Sequence, residues 1–145
     1  MKIILFTATL LILTSCTTQS KSESAALGTC SMDQKVVVLD HISSQIQAIE
    51  LLDFKKAYTY AAQSFQDSVT LDQFERVITR QYQMLISNDG YSFGKCLTQD
   101  GYLIQQVRVK TSRESFELVY KLSLVNNRLG VVAATINQSS AILNT

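Results

Sequence analysis

The spacing of apolar residues changes period halfway along the chain. From about Gln34 to Leu52, Val37, Ile42, Ile46 and Ile49 recur at steps of three and four, with Val38 and Leu52 close to the same line. One such stripe is the mark of an amphipathic helix, and Asp33 stands where a cap would. Asp53 is placed to cap a second, shorter helix from Phe54 to about Gln63, with Phe54, Ala57, Tyr58, Ala61 and Ala62 inward. Thr70-Leu71-Asp72-Gln73 has the form of a capping box. It opens a third helix carrying Leu71, Phe74, Val77, Ile78 and Tyr82, which fades between Gln81 and Ile86. Asn88-Asp89-Gly90 then signals a turn.

Beyond that turn the period is two. Tyr91 to Leu97 is a short strand with Tyr91, Phe93 and Lys95 on one face. Asp100-Gly101 suits a hairpin, Tyr102 to Lys110 is the next strand, and Thr111 to Arg113 turns the chain. From Glu114 to Val125, the residues Phe116, Leu118, Tyr120, Leu122 and Leu124 alternate with Glu117, Val119, Lys121 and Ser123, a strand with one buried face. Asn126-Asn127 is a tight turn, and Leu129 to Gln138 is the last strand. The expectation is an α+β domain: three N-terminal helices packed on one face of a four-stranded antiparallel meander sheet. The connections are too short for the crossovers of a parallel sheet.

The first residues fit neither period. Lys2 precedes an apolar run from Ile3 to Leu13, and Leu13-Thr14-Ser15-Cys16 closes it. A charged start, a short apolar segment and small residues at the cut make a secretory signal peptide. A cysteine just after that pattern makes it a bacterial lipoprotein signal. The Cys16 thiol would take a diacylglycerol and become the mature N-terminus. Each buried methylene adds about 0.8 kcal/mol of membrane affinity, so several acyl chains anchor a protein lastingly. Thr17, in place of aspartate, directs such a protein to the outer membrane, facing the periplasm, where the enterobacterial sorting rule applies.

These readings divide the chain into a leader at 1–15, the lipidated Cys16 with a Ser-, Thr- and Ala-rich flexible tether at 16–32, one domain at 33–138 and a tail at 139–145. The formal charge is +1 over 145 residues, and loss of Lys2 with the leader brings the mature chain near neutral. There is no basic stripe of the kind that binds nucleic acid. Cys30 and Cys96 either form a disulfide, as export to an oxidising compartment allows, or stay as buried thiols. With the single histidine, His41, they lack the spacing of a zinc site, and no cofactor is implied.

Asp53-Phe54, Ala57-Tyr58, Ala61-Ala62, Phe65, Phe74, Tyr82 and Phe93-Gly94 resemble the pattern of a bacterial domain of unknown function, family 4864, over about Val36 to Ile136. The chain departs from it in having no proline after the third helix and Leu129 where relatives often carry tryptophan. The family looks like the nuclear-transport-factor-2-like, or cystatin-like, fold. The resemblance therefore implies a curled sheet holding its helices, often with a pocket between them, and no assigned activity.

Ketosteroid isomerase uses such a pocket, with a carboxylate base and an oxyanion held by a tyrosine and a protonated acid. Here Tyr58, Tyr82 and Tyr120 are the candidate pocket residues, with Tyr91 also able to face inward. The inward acid is missing, because Glu114 and Glu117 fall out of phase with Phe116 to Leu124. Asp40 beside His41 invites a general-base reading, against which stands a solvated or half-buried helix histidine. No Gly-x-Ser-x-Gly elbow or glycine-rich phosphate loop is present, and Cys96 has no evident base beside it. Lys95, Arg108, Lys110 and Lys121 make a mildly basic strip on the outer sheet face, a docking surface for an envelope protein or wall polymer or an ordinary solvated face. Val119 and Val125 on that face leave a homodimer open. The reading that follows is a non-enzymatic envelope lipoprotein that binds a partner or a small apolar ligand, with an isomerase-like pocket enzyme as the alternative.

Overall fold

The computed structural model describes residues 27–137. The leader at 1–15, the lipidation site Cys16, the tether as far as residue 26 and the tail at 139–145 lie outside the described residues. The elements run β1 (Gly28–Thr29), α1 (Met32–Glu50), α2 (Phe54–Thr59), α3 (Gln63–Gln66), α4 (Leu71–Gln81), α5 (Gln83–Ile86), β2 (Gly90–Gln99), β3 (Tyr102–Lys110), β4 (Ser115–Val125) and β5 (Arg128–Asn137). The strands form one sheet in the order β1-β2-β3-β4-β5, each antiparallel to its neighbour. The α+β class and the meander hold. Among the described residues the sheet has five strands rather than four, and five helical segments stand where three helices were expected.

The fifth strand comes from the stretch assigned to the tether. Gly28 and Thr29 pair with Thr98 and Leu97, and the Cys30 amide donates to Cys96 O at 3.1 Å. Ser31, not Asp33, caps α1. Its hydroxyl accepts from the Gln34 amide while the Gln34 side chain accepts from the Ser31 amide, a reciprocal box. Val38, Ile42, Gln45, Ile46 and Ile49 form the buried stripe. Val37 and Leu52 are exposed instead. Leu52 lies at φ 57°, past the end of the helix.

The second expected helix is broken in two. Asp53 caps α2 through the Lys56 amide. The chain then leaves the helix because Tyr60–Ala62 pairs with the edge of β5. The Val131 amide donates to Tyr60 O at 2.9 Å and the Ala62 amide to Val131 O at 2.8 Å. Helix α4 starts at the expected capping box on Thr70. It stops at Tyr82, whose backbone departs from helical geometry before α5 resumes.

The two tight hairpins use the residues their geometry demands. Asp100 and Gly101 have φ of 51° and 79°, and Asn126 and Asn127 have 49° and 59°, as turns matched to strand twist require. Leu103, Val107 and Val109 of β3 and Leu118, Tyr120 and Leu122 of β4 are buried against the helices in one core cluster. Leu124, expected to continue this row, is exposed near the hairpin tip. In β2 the register shifts between Phe93 and Cys96. This bulge turns Cys96 inward and leaves Lys95 exposed rather than beside Tyr91 and Phe93. The fully buried Gln105 amide serves the bulge, donating to Gln106 O at 2.8 Å and Gly94 O at 3.1 Å.

Candidate functional site

A cavity of about 190 Å³ lies between the helices and the β4–β5 side of the sheet. Helix α1 contributes Gln45 and Ile49, and α4 contributes Phe74, Val77 and Ile78. Tyr82 and Leu85 follow, and the sheet supplies Tyr120 and Val131 to Ala134. Val77 is partly exposed and marks the opening. An apolar cavity of about 150 Å³ holds benzene, so this one has room for a single ring or a short chain of that bulk. It falls below the ~300–1,000 Å³ typical of pockets that enclose drug-sized ligands.

Three side chains bring polar atoms to the lining. Gln45 Nε2 donates to Ala57 O at 3.3 Å. The Tyr82 hydroxyl donates to Ala134 O at 2.6 Å, tying the break after α4 to β5. The Tyr120 hydroxyl is buried and, among the described residues, has no hydrogen-bond partner. Burial pushes the Tyr120 phenol well above the ordinary tyrosine range, reinforced by Tyr82 and Tyr91, and burial raises Tyr82 as well. Both are neutral hydroxyls at neutral pH. Among the described residues no acid, base or histidine lines the cavity.

Of the three tyrosines singled out in the sequence, the fold brings Tyr82 and Tyr120 together at the cavity and keeps Tyr58 out of it. The Tyr58 hydroxyl donates to Val69 O at 2.5 Å, and Gln66 Nε2 donates to Tyr58 O at 3.1 Å. Tyr58 thus pins the turn between α3 and α4. Gln45, which lines the cavity, and Gln105, buried on β3 outside its lining, did not register in the sequence as buried polar residues. Each is a polar residue in phase with a buried row, Gln45 with Val38, Ile42 and Ile49, and Gln105 between Leu103 and Val107. That in-phase position was their signal.

His41 is half-buried, and its Nε2 donates to Tyr60 O at 2.8 Å with the Tyr60 ring edge-on at 5.1 Å. It braces α1 against the segment on the β5 edge, and Asp40 is exposed beside it. Cys30 and Cys96 are joined in a disulfide with a Cα–Cα distance of 5.4 Å, so Cys96 offers no thiol. The outer basic strip is partly occupied: Arg108 Nε pairs with Glu117, and the Lys121 ammonium sits 3.8 Å above the Tyr102 ring centre. Among the described residues no group of three or more His, Cys, Asp or Glu could hold a metal ion. Among the same residues no helix is long and apolar enough to cross a membrane.

The fold and the cavity define an α+β domain with a small apolar hollow under its helices. The model of the family described as Domain of unknown function (DUF4864) matches residues 31–139. The chain belongs to that family. No curated protein and no solved structure matches the chain.

Proposed function

We propose that this chain is a cell-envelope lipoprotein, anchored through Cys16, whose domain binds a small apolar molecule bearing one hydrogen-bonding atom. The Tyr120 hydroxyl carries the reading: among the described residues it is buried without a partner, in the wall of a largely apolar cavity. An unpaired buried hydroxyl costs about 1–3 kcal/mol, a cost that a ligand's acceptor would offset. The Leu13-Thr14-Ser15-Cys16 sequence supports the anchor, and the Cys30–Cys96 bridge suits an oxidising compartment. A single sheet with helices over one face keeps the nuclear-transport-factor-2-like fold as part of this reading. Among the described residues no acid reaches the lining, which favours binding over proton abstraction of the isomerase kind.

The test is a titration of the protein with benzene, phenol and acetophenone, followed by backbone amide NMR. Saturable shifts at Ile78, Val131 and Ala134 are expected, with acetophenone binding more tightly than benzene. Val77→Phe, which fills the opening, should abolish these shifts while the rest of the spectrum stays native. Shifts that do not saturate, or that ignore Val77→Phe, would dismiss the cavity as a binding site.

A further inference from the structure

We infer that the end of the domain carrying β1, the start of α1 and the β4–β5 hairpin rests on the surface of a lipid bilayer. Leu27, Met32, Val36, Leu124 and Val125 are between 53% and 73% exposed; at the far end of α1 only the pair Leu51 and Leu52 is comparably exposed. Strand register gathers them at one end. Gly28 pairs with Thr98, Thr98 with Leu103, Leu103 with Leu122, and the hairpin tip at Val125 and Arg128 lies just beyond. Helix α1 begins at this end, because Cys30 is bonded to Cys96. It finishes at the other, where the Asn88 side chain donates to Glu50 Oε1 at 2.5 Å and the Asp89 amide to Lys110 O. Met32 and Val36 are four residues apart on one helix face, and their Cα–Cβ bonds tilt toward the helix N-terminus, hence toward this end.

The direction of the chain selects a bilayer as the occupant. Leu27 is the first described residue, and the stretch from Cys16 to Leu27 reaches no more than ~40 Å fully extended. If Cys16 is acylated, as proposed above, this is the end nearest the lipid. Lys35 and Arg128 at this end are matched by Asp33 and Asp100, so the contact rests on aliphatic side chains entering the interface. It does not require anionic headgroups.

The chain contains no tryptophan, so a single introduced one reports its own surroundings. Leu124→Trp and Ser112→Trp, the latter in the turn at the opposite end of the sheet, are made in the full-length protein. Each is isolated with its native N-terminus and reconstituted in phosphatidylcholine vesicles containing brominated lipid. The expected result is that Leu124→Trp emission shifts to shorter wavelength and is quenched while Ser112→Trp is unchanged. High salt should leave this untouched. Equal and negligible quenching at both sites overturns the inference. So does quenching that needs anionic lipid, or a Leu124→Trp shift that follows protein concentration without vesicles, which would mean that a second copy covers the patch. Intact mass of the N-terminus judges the anchor separately. If it carries no acyl chains, the same reporters are read with vesicles added from solution: quenching of Leu124→Trp alone upholds the surface, and none at either site overturns it.

Discussion

Tyr120 is the residue on which the proposed binding turns. Its hydroxyl is buried without a partner among the described residues, so Tyr120→Phe removes a polar group that makes no hydrogen bond in the unliganded fold they form. The variant should be as stable as the parent at neutral pH or gain up to about 1 kcal/mol, read as the midpoint of urea unfolding. It should also lose the preference for acetophenone over benzene. The pH dependence has a definite sign. The folded phenol is raised above its ordinary value of 10.0, so above about pH 10 the unfolded chain has released a proton that the folded chain retains. The stability this represents is complete below pH 10 and is lost as pH rises, by up to about 1.4 kcal/mol per unit for one group. Tyr120→Phe should flatten the alkaline decline in urea midpoint, while the remaining raised tyrosine, Tyr82, leaves a residual slope. Alternation alone put Tyr120 inside, since it shares a row with Leu118 and Leu122. It could not tell that the residue paired with it on β3 would be Gln105, whose Nε2 is committed to the β2 bulge and whose Oε1 is, like the Tyr120 hydroxyl, buried without a partner among the described residues.

At the scale of elements, the departures from the sequence pattern arise where long-range pairing overrides local preference. Phe54 to Gln63 reads as one helix because every residue in it tolerates helix. Tyr60 to Ala62 nevertheless gives up helical hydrogen bonds for bonds to Val131, a partner far along the chain. The fit is close: a Cβ on Gly130 would lie 2.5 Å from Ala62 Cα and 2.8 Å from its amide nitrogen. Gly130→Ala should therefore pry this segment from the sheet and cost about 1–3 kcal/mol, with the amides of Ala62 and Val131 losing protection in hydrogen exchange. Strand β1 was likewise illegible, since two residues carry no period and composition marks that stretch as linker. What orders it is the bond from Cys30 to Cys96, 66 residues away. Closing a loop of that length is worth about 4 kcal/mol in the chain-entropy model. Cys30→Ser with Cys96→Ser should lower unfolding stability by that order, and reductant should do the same to the parent but leave the double variant unchanged.

For the whole molecule, the elements with strong local signals were legible: the long first helix, the Asp53 cap, the capping box at Thr70, the hairpin turns and the α+β class. The cavity was legible only in part. Tyr82 and Tyr120 could be named, but its volume depends on how five short or broken helices settle over the sheet, which no periodicity encodes. The proposed cellular setting rests chiefly on the first sixteen residues, with the Cys30–Cys96 bridge as its one support in the fold. Cys16→Ser should move the protein from the membrane to the soluble fraction on cell fractionation and abolish incorporation of labelled fatty acid, with the domain's own spectrum unchanged. Retention in the membrane would refute the anchor.

The disulfide also decides how the domain bears a mechanical load. Tension entering at Leu27 reaches Cys30 and crosses the sulfur–sulfur bond directly into β2, at the heart of the sheet's hydrogen-bond ladder. Helix α1, which starts two residues later, stays outside the force path. A tug on the N-terminal segment would thus be taken up by covalent bonds and paired strands rather than by unwinding the helix that roofs the cavity.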